Sequence, residues 1–244
     1  MKAICAYWCV IMACCASAWA LPADCRQVIV GSADGWNSSH VQLSLLEKGP
    51  RGWVMAKGPF PARLGKSGLV WGNGLSAPPA GGAAKKEGDL RSPAGIFELG
   101  GAYGTVPEPR KKRAMPYRRI TSRDMWVDDP ASPLYNRHVV LGHEPATPWE
   151  FKQQMKLNDY AHSLKLFIKH NAVGEPGRNV PGGGSSIFFH IWRQGGAFPT
   201  AGCTAMSEEN LRAMIAWLDP AMHPVYVLLP RQEYLRLRRA WGLP

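Results

Sequence analysis

The stretch Ser186-Ile187-Phe188-Phe189-His190-Ile191-Trp192 is followed, after a Gly-rich turn, by Pro199-Thr200-Ala201-Gly202-Cys203-Thr204-Ala205-Met206. Its Phe and Ile content predicts a buried strand. Side chains alternate across a strand, so Ile187, Phe189 and Ile191 share one face, and Phe188, His190 and Trp192 share the other. The first face is wholly apolar and must meet a core. The second sets an imidazole between two aromatic rings, which restricts its rotamers and shields it from water.

Working outward, further strands are readable on both sides. Arg26-Gln27-Val28-Ile29-Val30 reads as a first strand, and Val41-Gln42-Leu43-Ser44-Leu45 alternates as a half-buried one. Gly52-Trp53-Val54-Met55-Ala56 is its hairpin partner across the Lys48–Gly52 turn, and Val225–Leu229 is a late strand. Two helix starts are marked. Thr147-Pro148-Trp149-Glu150 carries a Thr cap, Pro at the first helical position and Glu three residues after the cap. Ser207-Glu208-Glu209 opens a second helix, with Leu211, Met214, Ile215 and Leu218 as its apolar face and Pro220 beyond its end. With 26 glycines and 21 prolines in 244 residues, long periodic stretches are scarce. The expected class is mainly β with a few short helices, not a helical bundle.

Residues 1–20 read as an export leader: Lys2, then an apolar run from Ala3 to Cys15, then small residues at Ala18 and Ala20 around Trp19. The run is too short to span a bilayer comfortably, so no stable membrane span is expected. A retained anchor, or a lipidation box at Ile11-Met12-Ala13-Cys14, are the alternatives. The expected location is exported, in the periplasm or cell envelope. Removal of the leader takes Cys5, Cys9, Cys14 and Cys15 with it and leaves Cys25 and Cys203. A Cys25–Cys203 disulfide is one reading in an oxidising compartment. Against it, Cys25 lies five residues past the cut, where a frayed terminus anchors a bridge poorly.

The net charge is +11, or +10 without Lys2, carried in part by Arg110-Lys111-Lys112-Arg113 and by Arg231, Arg236, Arg238 and Arg239. Such a surface attracts polyanions. Export argues against nucleic acid and for anionic wall polymers, lipid headgroups or an acidic substrate. A solvated basic face is the alternative for each run.

A strand-borne histidine and a cysteine 13 residues later are the raw material of a thiol nucleophile and its base. Gly202 lets the backbone turn tightly before Cys203. Backbone N–H groups around the cysteine are candidates for an oxyanion hole, and the helix start at Ser207 is a candidate for lowering the thiol pKa. The alternative is a core histidine beside a structural cysteine. A zinc site from His138 and His143 with Asp128 or Asp129 is the rival chemistry, without a His-Glu-x-x-His pattern. Gly65-Lys66-Ser67 is no phosphate loop, because Phe60 stands where its first glycine belongs. No Gly-x-Ser-x-Gly elbow is present.

At these residues the sequence resembles the L,D-transpeptidase catalytic domain, or YkuD-like, family. Three segments carry the likeness: Lys86-Glu87-Gly88-Asp89 with Ser92-Pro93-Ala94-Gly95-Ile96-Phe97, then Phe189-His190, then Thr200-Ala201-Gly202-Cys203. The resemblance implies a curved β-sandwich over residues 65–230. Strands of 21–64 pack on the same domain, and 231–244 form a basic C-terminal tail. It implies an exported enzyme acting on peptidoglycan stem peptides, with Cys203 as nucleophile and His190 as base. Thr200, Gly202 and Thr204 would support the loop and the oxyanion, and no metal or organic cofactor would be needed. The sequence departs from the family pattern. Ile191 replaces the glycine after the histidine, Thr204-Ala205 replace an aliphatic residue and an arginine, and the His-to-Cys spacing is short. Arg193 is the candidate to replace that arginine in binding substrate. Cross-linking, trimming, or release of a wall-attached protein would use the same acyl-enzyme. The alternative is a non-catalytic wall-binding module on the same scaffold. Asp128-Asp129-Pro130 and Tyr135-Asn136 are either cleft-lining residues or a capped surface loop.

Overall fold

A computed structural model describes residues 20–75, 79, 81–109, 115–172 and 179–244. Residues 1–19 of the leader and the Arg110–Arg113 run lie outside them. The strands in chain order are β1 (Gln27–Ala33), β2 (His40–Gly49), β3 (Gly52–Arg63), β4 (Leu69–Trp71), β5 (Ser92–Gly104), β6 (Tyr117–Arg119), β7 (Asp124–Trp126) and β8 (His138–Val140). The helix α1 (Pro148–Lys152) follows, then β9 (Leu164–Ile168), β10 (Phe188–Ile191), β11 (Thr204–Met206), α2 (Glu208–Trp217), β12 (Val225–Pro230) and α3 (Arg231–Leu237). Strand makes up 36% of the chain and helix 15%, so the fold is mainly β.

One sheet runs β12-β1-β2-β3-β11-β10-β9-β5-β4, and β12 also pairs with β5, which closes it on itself. Closure depends on β5 serving two neighbours. Its first half pairs with β12 through Gly95–Glu98, and its second half with β9 through Ala102–Gly104. The register shifts between Leu99 and Ala102, at Gly100-Gly101. A Cβ on Gly100 would lie 2.6 Å from the Phe167 ring, so glycine permits the bend against that side chain. The strands named from sequence are present, and β1 and β2 run longer than their apolar cores.

Both helix starts form as their caps predict. Thr147 and Glu150 make a reciprocal capping box on α1. The Ser207 side chain accepts from the Asn210 N–H at the start of α2, whose Leu211, Met214 and Ile215 are buried. The C-terminal stretch differs from a basic tail. Arg231–Leu237 is helical, and Leu237, Trp241 and Leu243 join the main core while the arginines stay outside. Cys25 likewise is not at a frayed end: it is buried, and burial first of all raises its pKa to about 11. Cys25 and Cys203 are both free thiols. No helix among the described residues is long and apolar enough to cross a membrane.

The β7–β8 pair rests on Asp124, which has no solvent exposure. Burial would raise its pKa, but the Arg118 guanidinium, the Thr121 N–H, His138 and the Thr121 hydroxyl outweigh it and hold it at about 2. A carboxyl held down in the fold stabilises it above the unfolded pKa of 3.8, and that contribution is lost as pH falls through about 2. The shift corresponds to about 2 kcal/mol. Asp124→Asn is therefore expected to destabilise by about 2–4 kcal/mol at pH 7, with a smaller penalty near pH 2. Urea midpoints at the two pH values check this, and an equal penalty at both would contradict it.

Candidate active site

Three neighbouring strands position the site. β9 pairs antiparallel with β10, setting Phe167 against Phe188 and Lys165 against His190. β10 pairs parallel with β11, setting His190 against Ala205 and Phe189 against Thr204. Paired residues share a sheet face and alternate along each strand. Lys165, His190 and Ala205 therefore form one row across the sheet. Phe167 and Phe188 form the next row on the same face, and Cys203 sits just before β11, its sulfur against the Phe188 N–H. Leu166, Phe189 and Thr204 point the other way, into the main core, where Leu166 and Phe189 are fully buried.

Cys203 and His190 both line a cavity of about 270 Å³. His162, Arg193, Phe198 and Thr200 line it too. The expectation of His190 held between Phe188 and Trp192 needs correction. Phe188 packs with Trp126, Phe167 and Cys203, and the Trp192 ring lies over Gly196. The His190 ring instead stacks on His162, centroids 4.7 Å apart.

His190 Nδ1 lies 2.8 Å from the Ile191 carbonyl oxygen. A carbonyl only accepts, so Nδ1 carries the proton and Nε2 keeps its lone pair. Burial pushes the imidazole pKa down to about 3, helped by His162, Arg193 and Lys165. Burial also pushes the Cys203 thiol up, against the Phe188 N–H, Lys165 and Lys85. The sulfur donates to the Ser186 carbonyl and accepts from the Phe188 N–H, both at 3.4 Å. The resting pair is a neutral thiol and a neutral imidazole. The expected help from the α2 N-terminus is absent, because all of β11 stands between Cys203 and Ser207.

The turn before the cysteine is held by Thr200. Its hydroxyl donates to the Cys203 carbonyl at 2.6 Å and accepts from the Gly202 N–H at 3.1 Å. Ser92, from the Ser-Pro-Ala-Gly segment, donates to the same carbonyl at 3.4 Å and accepts from the Gly65 N–H at 2.9 Å. The Gly202 N–H is therefore engaged within the loop, which leaves the Cys203 N–H as its candidate oxyanion donor. Thr204 is likewise no part of the cavity wall: its hydroxyl meets Tyr226 Oη at 3.2 Å in the core. Gly202 has φ +148°, and a Cβ there would lie 3.0 Å from the Arg91 carbonyl. Gly202→Ala is expected to destabilise by about 1–3 kcal/mol. An unchanged urea midpoint would mean that the loop relaxes freely.

Arg193 is 52% exposed at the cavity and bonded to Asp159. Asp159 also bonds His162 Nδ1 at 3.0 Å and caps the turn Tyr160–His162. Burial would raise the Asp159 pKa, but Arg193, the Ala161 N–H and His162 hold it at about 2.

The other candidates are dispersed. His138 bonds Asp124 at 2.8 Å, and His143 faces Glu150 at 3.6 Å. Among the described residues no three His, Cys, Asp or Glu side chains gather as metal ligands. Asp129 caps Ala131 and receives Trp149 Nε1. Asn136 is a buried hub that accepts from Trp126 Nε1 and the Ser186 N–H and donates to the His170 and Asn171 carbonyls. In the Lys-Glu-Gly-Asp turn, Asp89 pairs with Lys85 at 2.6 Å. Glu87 accepts from Tyr135 Oη and Ser185 Oγ, which ties the turn to the approach to β10.

Sequence reading missed His162, Asp159 and Lys165. The Asp-x-x-His spacing, and a lone lysine inside Leu164-Lys165-Leu166-Phe167-Ile168, were the available signals.

Comparison with curated proteins and with solved structures finds no match. A family model does match, that of the L,D-transpeptidase catalytic domain, over residues 49–227. That span runs from the end of β2 into β12 and holds every strand that builds the cavity. The histidine strand, the Thr200–Cys203 turn and the Ser92 segment that braces it all fall within one matched unit, and the chain belongs to the L,D-transpeptidase catalytic domain (YkuD) family.

Proposed function

We propose that this chain is an exported cysteine acyltransferase acting on peptidoglycan stem peptides. The observation that carries the reading is the shared cavity of Cys203 and His190, with the Nε2 lone pair unprotonated. Cys203 Sγ attacks the carbonyl before the terminal D-alanine of a tetrapeptide stem, and its proton passes to His190 Nε2. The tetrahedral oxyanion is met by the Cys203 N–H. The intermediate then collapses, the C–N bond breaks, and His190 returns the proton to the departing D-alanine amine. An amine of a neighbouring stem, or water, then attacks the thioester as His190 takes its proton; the C–S bond breaks, and His190 returns the proton to the departing Cys203 sulfur. Arg193, exposed at the cavity, suits the terminal carboxylate of the stem.

Mass spectrometry of disaccharide-tetrapeptide incubated with the purified protein tests the reading. Loss of D-alanine or a cross-linked dimer is expected. Unchanged muropeptides, with and without an added amine acceptor, would contradict it. A second reading, wall binding without turnover, draws on Ala205 standing where the family carries arginine and on the +10 charge that remains without Lys2. It predicts co-sedimentation with sacculi and no product from the wild-type protein.

A further inference from the structure

His162 lines the same cavity as Cys203 and His190. Its ring stacks on the His190 ring, with centroids 4.7 Å apart and 25° between the planes. It belongs to the turn before β9, which Asp159 caps, and the same carboxylate meets His162 Nδ1 at 3.0 Å. A carboxylate only accepts, so the neutral ring carries its proton on Nδ1 and a lone pair on Nε2. Among the described residues the Asp159 contact is the ring's one hydrogen bond, and Nε2 has none. The cavity wall therefore holds two imidazoles in contact, each with Nε2 unprotonated.

The two rings differ in what they can do with a positive charge. Beside His190 Nδ1 stands a carbonyl, and beside His162 Nδ1 a carboxylate, which stabilises an imidazolium better. His190 is buried, whereas the His162 side chain is 20% exposed and can exchange protons with water. The groups facing His162 are Asp159, Arg193, Lys165 and His190. Burial, Lys165 and Arg193 push its pKa below 6.5 against the pull of Asp159, so the ring is neutral and able to accept at pH 7.

Proton counting gives such a second base a task. An alkyl amine with an ordinary pKa of about 10.4 is an ammonium at pH 7 and has no lone pair to attack with. It must lose one proton before it attacks and another as the amide forms, while the sulfur takes back only one. Water loses only the one that returns to sulfur. We propose that His162 is a second catalytic base, serving ammonium acceptors and not water. This rests on the acyl-transfer reading and assigns the acceptor class, a primary ammonium. The acceptor N–H proton passes to His162 Nε2 and on to solvent, and the freed lone pair forms the C–N bond. His190 then takes the second N–H proton and returns it to sulfur as the C–S bond breaks.

The test follows the fate of the acyl group from disaccharide-tetrapeptide at pH 7, by mass spectrometry, with Nα-acetyl-lysine or hydroxylamine as the added amine. Hydroxylamine is already unprotonated at neutral pH and needs no second base. In His162→Phe, which keeps a ring against His190, the ratio of amide to hydrolysed product with acetyl-lysine is expected to fall about tenfold or more relative to wild type. With hydroxylamine the ratio is expected to stay within about twofold, an outcome that a merely distorted cavity would not give. Equal losses with both amines, or no loss with acetyl-lysine, overturn the proposal. So does wild-type protein that releases D-alanine but gives only hydrolysed product with acetyl-lysine, a result that leaves the acyl-transfer reading standing. Absence of D-alanine release from wild type contradicts that reading and the proposal together. Should His162→Phe not fold by circular dichroism, His162→Gln carries the same comparison.

Discussion

Cys203→Ala protein is expected to keep its fold and lose muropeptide turnover by a factor on the order of 10⁴ or more. The substitution removes a single sulfur from a partly buried position. Its two hydrogen bonds, to the Ser186 carbonyl and from the Phe188 N–H, are long at 3.4 Å. The loop is held instead by Thr200 and Ser92 through the Cys203 carbonyl, which alanine retains. Structure and chemistry are therefore separable at this position. Product appearance by mass spectrometry, with circular dichroism melting as the control, reads both. Turnover at the wild-type rate by folded Cys203→Ala protein would remove the nucleophile assignment.

His190→Asn should lower kcat/KM by about 10²- to 10⁴-fold. Asparagine can still donate to the Ile191 carbonyl, so the strand end is preserved while the base is lost. The wild-type pH profile carries a second expectation. Burial holds the imidazole pKa at about 3, below the ordinary 6.5. The neutral form that accepts a proton therefore persists from pH 7 down to pH 5. An ordinary histidine would lose most of its neutral form over that interval, with a fall in kcat/KM of about 25-fold. A nearly flat acid side between pH 7 and pH 5 is expected, and an inflection near 6.5 would show that the base is solvated in the working enzyme. On the alkaline side, burial pushes the thiol up, so the neutral pair persists and the plateau is expected to continue past neutrality.

Much of this site is written in short-range pattern. The alternation of Ile187, Phe189 and Ile191 with Phe188 and His190 assigns the strand and its two faces before any partner is known. The Thr147–Glu150 box and the Ser207 cap start their helices where the spacing places them, because a cap acts within one turn. The glycine before Cys203 is required by a backbone angle and a neighbouring carbonyl, and both are set within one turn of chain and its brace.

The features legible from the chain alone are therefore local: strand faces, helix starts, the Gly202 turn, and the likeness to one family. The tertiary structure alone decided which distant residues became neighbours. The His190 row acquires Lys165 only because β9 pairs with β10 in one register; a one-residue slip would send that lysine to the opposite face. Closure through β5 and β12 and the burial of Trp241 beneath a basic helix depend on contacts far apart in the chain. So do the perturbed pKa values. Burial and facing charges come from whichever segments pack there, and a side chain's identity fixes its ordinary protonation, not its surroundings.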